Sequence, residues 1–486
     1  MTEQVAKKNT VFYIHVLITI FFMFFFGFIP PIEPITPLGM KMLGIFIGLV
    51  YAWTTTTLLW PSFLGMIAVV TTGVTTMTDF AALSFGNETV VFMILITAFA
   101  TALDRAGLVN FLSSWIISRK IVEGRPWIFT LLMLYGAFLG GMLVNTLASV
   151  IFFWKILYTV CDEFGFKKYE KYPSLMILGI VFASMTAGGT VFPFRLTGLI
   201  LLGAIESVTK MSVSFFSYIL FTLPLSIILV LVYYLIMRFI FRPDLSRMNK
   251  ISIDFIDPKD LILSKTQKFA AFLTGVMIVL LMSVDLIQMA FPGSVVANIL
   301  SGWGVIGVIL VIICFAMVTR IDGKPFMNYQ DAAKGIDWSM MYLFAIILPF
   351  SSLLTSDATG INTFLVQLLS PIFGGKTFLL FAFIVLLIVT LLTNVANNAV
   401  IIVIFINICT PICASMDISP IPLIMVILWC GQLAYMTPAA SAPAAFVFGN
   451  SEWIKASMMY KYIAIILVIM FVVCYVIGLP LANLIF

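Results

Sequence analysis

Charge is scarce in this chain. Only 10% of its 486 residues are Asp, Glu, Lys or Arg, while 62% are hydrophobic, and the mean hydropathy is +1.16. So few charges cannot solvate the surface of a water-soluble domain, so the composition excludes that class and leaves an integral membrane protein. Histidine is reduced to His15, near the end of the first apolar run. That removes a His-rich metal site and a Ser-His dyad, and with them the chemistry an intramembrane protease or lipid-modifying enzyme would need. No Walker motif is present, so primary active transport by this chain alone is excluded and no cofactor is implied. The six cysteines, Cys161, Cys314, Cys409, Cys413, Cys430 and Cys474, are scattered, mostly in apolar runs. Their spacing fits neither a disulfide framework nor a metal cluster, and they read as small core residues. Nothing points to a nucleic-acid partner.

What is present in quantity is the apolar run of about 20 residues, the length that spans a bilayer as a helix. Such runs recur from Val11 to the C-terminus, without the short alternating segments of a barrel. Val11–Ile29 follows Lys7 and Lys8 but has no small-residue cleavage site and ends at Pro30-Pro31. It is expected to stay as the first helix. Spans are expected near 12–29, 38–53, 56–72 and 88–104, with an amphipathic stretch at 106–118, and then 127–158, 174–207 and 215–241. A polar segment from Arg242 to Lys268 links this to a second series: 267–291, 298–319, 337–355, an amphipathic 360–369, 376–412, 420–450 and 457–484.

Four of these segments are unlike ordinary spans. The run 127–158 carries Gly140-Gly141 and Asn145-Thr146 at its centre, and 376–412 is centred on Thr393-Asn394-Val395. Each suits a helical hairpin that enters the membrane and turns back. Next, 174–207 is interrupted at Thr186-Ala187-Gly188-Gly189-Thr190 and Pro193, and 420–450 at Thr437-Pro438 and Pro443, so both should lose their hydrogen-bond ladder near the middle. The halves look like repeats. Lys and Arg collect on one side (Lys7, Lys8, Arg105, Arg119, Lys120, Arg125 and the linker among them), and only Lys41, Lys210 and Lys376 fall on the other. The positive-inside rule then inverts the second repeat, with the N-terminus in the cytoplasm and the C-terminus outside.

In hydrocarbon an unsatisfied amide or hydroxyl costs several kcal/mol, so two Asn-containing clusters at matched positions point to a site shared between repeats. Asn145, Thr146, Thr393 and Asn394 offer amides and hydroxyls, and helix ends beside them suit an anion at N-termini or a cation at C-termini. Gluing helices together is the bland alternative for such residues. Arg195 falls deep in a span, where a cation serves as counter-charge to an anionic substrate, replaces a coupling cation, or binds free carbonyls of the broken helix. Glu88, Glu206, Asp285 and Asp337 fall near helix ends and read as structural.

With these motifs in view, the chain resembles the divalent-anion/sodium symporters of the ion-transporter superfamily. Their Ser-Asn-Thr hairpin tips appear here as Val144-Asn145-Thr146 and Thr393-Asn394-Val395. Their broken-helix signatures appear as Gly189-Thr190-Val191-Phe192-Pro193-Phe194-Arg195 and Met436-Thr437-Pro438-Ala439-Ala440, with Arg195 roughly where the family has asparagine. The resemblance implies substrate contacts at Asn145, Thr146, Thr190, Arg195, Thr393, Asn394, Thr437 and Pro438. It also implies sodium near Asn145, Gly188, Gly189, Asn394 and Ala439. Fewer hydroxyl and glycine ligands weaken hard-cation coordination, which favours anion exchange or fewer coupling ions.

The expectation is an all-α polytopic membrane protein of about 11 transmembrane helices, built from two inverted repeats, 1–241 and 267–486, joined by a cytoplasmic linker at 242–266. Segments 12–118 and 267–369 would form a scaffold, and 127–241 and 376–486 a transport core. The function expected is secondary transport of small di- or monocarboxylates in the cytoplasmic membrane by an elevator-type homodimer, sodium-coupled or exchanging. A sodium/proton antiporter of the same superfamily is the alternative.

Overall fold

The computed structural model describes residues 2–108, 111, 115, 118, 120–143, 146–190, 196–250, 262–373, 377–395, 398–437, 440–450 and 452–486. Backbone groups in an apolar medium must bond internally, and the described chain does so almost entirely as helices. Eight are long and apolar enough to cross a membrane, or ten if each of two bent pairs counts as one span; four more apolar helices are shorter. The amphipathic stretch at 106–118 lies largely outside the described residues.

The first half begins with α1 (Thr2–Ile20), α2 (Pro37–Thr55) and α3 (Leu59–Thr71). Helix α2 starts where Thr36 accepts a hydrogen bond from the Gly39 N–H, with Pro37 in the first turn. His15 pairs with the Tyr51 hydroxyl at 2.7 Å, tying α1 to α2. Then α4 (Met77–Phe85) and α5 (Glu88–Arg105) meet at 50° across Gly86-Asn87. In the second half, after α11 (Lys265–Ala290) and α12 (Val295–Val318), a short α13 (Tyr329–Ala332) and its 3-10 extension to Gly335 meet α14 (Trp338–Leu354) at 75°. The bend residues cap the longer helix in both cases. Asn87 accepts from the Thr89 N–H, and Asp337 from those of Ser339 and Met340. The short arms α4 and α13 were not expected from sequence.

After the bend each half continues in the same order. In the first, α6 (Pro126–Leu143) and α7 (Thr146–Glu163) form a hairpin. The Ser149 hydroxyl donates to the Ala137 carbonyl at 2.9 Å, so the arms run antiparallel in contact. Helix α8 (Lys171–Thr186) is buried from Tyr172 onward and is apolar all round, as a helix enclosed by others must be. It passes through a 3-10 turn at Ala187–Gly189 and, beyond undescribed residues 191–195, is followed by α9 (Leu196–Thr209) and α10 (Phe215–Leu235).

The second half runs α11 (Lys265–Ala290), α12 (Val295–Val318), the α13–α14 bend, α15 (Ile361–Phe373), then a hairpin of α16 (Phe378–Leu392) and α17 (Asn398–Ser415). A two-strand ribbon, β1 (Arg320–Ile321) and β2 (Lys324–Pro325), turns at Asp322-Gly323, both with positive φ, as a tight hairpin turn requires. Helix α18 (Ile421–Gln432) is buried at every residue, residues 433–437 are non-helical, and α19 (Ala442–Gly449) precedes α20 (Ala456–Val473) and α21 (Leu479–Ile485).

The two halves interlock. Helix α9 packs on α17 and α14 of the second half. Reciprocally, α19 packs on α8, Asn450 donates to the Tyr158 hydroxyl at 2.6 Å, and Trp453 stacks on Tyr158 at 4.8 Å between ring centres. Each broken helix thus leads its second segment onto the other half's hairpin or the helix after it, which carries the two breaks to the interior.

Candidate functional site

The second break is held open by Asn394. Helix α18 ends at Gln432, so its last carbonyls lack helical partners, and Pro438 disfavours helix at Thr437. Asn394, on the hairpin turn, fills the gap: its Nδ2 donates to the Leu433 carbonyl at 2.8 Å and to that of Thr390 at 2.7 Å. Its Oδ1 accepts from the N–H groups of Tyr435 at 2.9 Å and Met436 at 2.7 Å. All of its amide's donors are used, and the side chain is 5% exposed. Thr437 donates back to the Asn394 carbonyl at 2.8 Å, and Thr393 to the Gly431 carbonyl at 2.6 Å. Ser441 donates to the Ala434 carbonyl and caps α19 by accepting from the Ala444 N–H.

The first break is held by hydroxyls. Tyr218, Thr222 and Ser226 lie four apart on α10, hence on one face. Tyr218 donates to the Gly189 carbonyl and Thr222 to the Thr190 carbonyl, both at 2.6 Å, and the Ser226 and Thr190 hydroxyls pair at 2.9 Å. Thr190 also donates to the Thr186 carbonyl at 3.0 Å. Thr146, at the hairpin, lies 3.5 Å from the Ser184 carbonyl, and Gly141 packs so close to α8 that a Cβ there would sit 2.7 Å from that same oxygen.

The breaks meet each other. A Cβ on Gly189 would touch the Trp429 ring at 3.0 Å, Tyr435 lies 5.7 Å from the Phe182 ring and reaches Thr186, and Ser441 is 3.7 Å from the Met185 sulfur. The buried polar side chains are Ser, Thr, Asn and Gln; among the described residues no buried side chain carries a charge. The same residues hold no cluster of metal-ligating His, Cys, Asp or Glu. Among the described residues, a cation here would be met by carbonyl and hydroxyl oxygens, and an anion by N–H and O–H donors.

Of the residues expected at a site, Thr146, Gly188, Gly189, Thr190, Thr393, Asn394 and Thr437 gather at this junction; Thr190, Thr393 and Asn394 spend their polar groups on holding it together. Asn145, Arg195, Pro438 and Ala439 lie outside the described residues. Sequence reading missed Tyr218, Thr222, Ser226, Gln432, Tyr435 and Ser441. The four-residue spacing of the first three was a visible signal, masked by the apolar run around it.

No curated protein matches the chain in sequence. In structure it is similar to the YdaH transporter of Alcanivorax borkumensis, with a TM-score of 0.62, 13% identity, and coverage of 92% of this chain and 97% of that one. It is also similar to MtrF of Neisseria gonorrhoeae, described as illuminating a class of antimetabolite efflux pumps, with a TM-score of 0.53, 13% identity and coverage of 85% and 84%. At such identity the likeness speaks for the fold alone. Sequence is more specific, since the profile of the citrate transporter family (CitMHS) matches residues 48–356, well over half of the chain. The chain is a membrane transporter and belongs to the citrate transporter family.

Proposed function

We propose that the protein carries small carboxylate anions, citrate or a di- or monocarboxylate, by alternating access across the cytoplasmic membrane. The observation that carries this reading is the meeting of two broken helices at a junction where no buried side chain among the described residues is charged, with the unwound segment 433–437 pinned open by Asn394. Unwound backbone is tolerated at membrane depth where it lines a cavity or is enclosed by protein, and paired breaks of this kind suit a carrier's substrate site. The hairpins, broken helices and last helix of each half would move as one body against the remaining spans, in a homodimer, as in the symporters the chain resembles.

Coupling by sodium would use the carbonyls of the breaks near Gly188, Gly189 and Asn394, and exchange would rely on Arg195 as a fixed counter-charge. Proteoliposomes loaded with or without unlabelled substrate, with or without an inward sodium gradient, separate the two when uptake of labelled citrate and succinate is followed. Stimulation by sodium supports symport; stimulation by internal substrate alone supports exchange, and Arg195→Gln should then abolish it without loss of folding. Absence of uptake for every carboxylate tried would remove the reading.

A further inference from the structure

Asn394 is saturated by the protein, but the amide two residues before Ala434 is not. Gln432 closes α18, is 6% exposed, and accepts at Oε1 from Asn398 Nδ2 at 3.4 Å, while its Nε2 has no partner among the described residues. Buried polar groups are nearly always bonded, because leaving one unpaired costs about 1–3 kcal/mol. One helical turn earlier Trp429, 1% exposed, also has an indole N–H without a partner among those residues, while its ring edge abuts Gly189. Residues three apart are neighbours on a helix surface. Two orphan donors therefore lie on adjoining parts of α18, between the first break and the second hairpin turn, where no described side chain is charged. What satisfies them must bring acceptor oxygens.

We propose that the Gln432 amide N–H is a specificity-determining donor to a carboxylate or hydroxyl oxygen of the transported anion, with Asn398 as its positioning residue; this rests on the transport reading above. The bond from Asn398 fixes which way the amide faces, since a flip would set two NH2 groups against each other. The NH2 edge is thereby kept for the ligand. A buried donor left unpaired when the matching oxygen is missing rejects such analogues far more strongly than an apolar pocket could.

The test uses the full-length protein in proteoliposomes: wild type, Gln432→Glu, Gln432→Leu and Asn398→Ala, each measured for KM and maximal rate with citrate and succinate, and for thermal unfolding in detergent. Both Gln432 variants should raise KM for the preferred anion by about tenfold, equivalent to about 1.4 kcal/mol, and Asn398→Ala by less. Gln432→Leu should unfold no earlier than wild type, because it deletes an unpaired donor. A merely structural glutamine would give the opposite split, earlier unfolding with KM unchanged, and that result, or an unaltered KM in Gln432→Glu, overturns the inference. If the wild type takes up neither anion nor any other di- or monocarboxylate tried, the carboxylate reading fails and the role of Gln432 fails with it.

Discussion

Replacing Asn394 with alanine removes four hydrogen bonds at once. The N–H groups of Tyr435 and Met436 lose the Asn394 Oδ1 acceptor in a non-helical segment, and at about 1–3 kcal/mol for each unsatisfied buried group the pair costs about 2–6 kcal/mol. The Thr390 and Leu433 carbonyls add less, since a carbonyl retains a second lone pair for other partners. Against a total stability of about 5–15 kcal/mol this is a large fraction. Five of the six cysteines are buried and only Cys314 is exposed. A Cys314→Ser background therefore makes a thiol-reactive dye report unfolding, and Cys430 reports on α18 itself. Asn394→Ala should unfold several degrees earlier, with Cys430 labelled before the other thiols. Asn394→Asp should fare no better at neutral pH, because it turns a carboxylate toward two carbonyls. Thr393→Val loses one bond, to Gly431, and should cost about 1 kcal/mol. An Asn394→Ala protein as stable as wild type, or one less perturbed than Thr393→Val, would refute the clamp.

Gly141→Ala should destabilise the first hairpin, since its new methyl would press on backbone of α8 at Ser184, which cannot swing aside as a side chain could; the same dye assay reads it, and an unshifted midpoint would mean that α6 moves freely. Tyr218→Phe leaves the Gly189 carbonyl without its 2.6 Å donor and should lower the unfolding temperature by an amount corresponding to about 1–3 kcal/mol; equal unfolding of the two proteins would show that another group takes over. Lys168→Ala should leave unfolding and uptake unchanged, because the pair with Glu452 has side chains 52% and 76% exposed and such pairs contribute about 0–1 kcal/mol; a marked loss would assign the loops at 164–170 and 450–455 a role in movement.

Much of this fold was legible because the membrane imposes one rule on every residue. Apolar length marked the spans to within a few residues, as at 215–241, and a polar side chain set in that length marked a turn at Asn394, after α16, whereas Gly140-Gly141 sit inside the unbroken α6. The short arms α4 and α13 were illegible for the converse reason: at nine and four residues they are too short and mixed to stand out as apolar runs. At the site the sequence exposes which residues are out of place but not what each is bonded to. Asn394 and Gln432 are both buried amides near the same break, yet the first has both amide protons bonded within the protein and the second has an N–H unspent among the described residues. That difference arises in part from the Leu433 carbonyl, 39 residues away in sequence, which no motif records. An amide conspicuous in an apolar run is thus as apt to be the frame of a site as its reading head, and the donors left over once the frame is satisfied are where a ligand's oxygens should be sought.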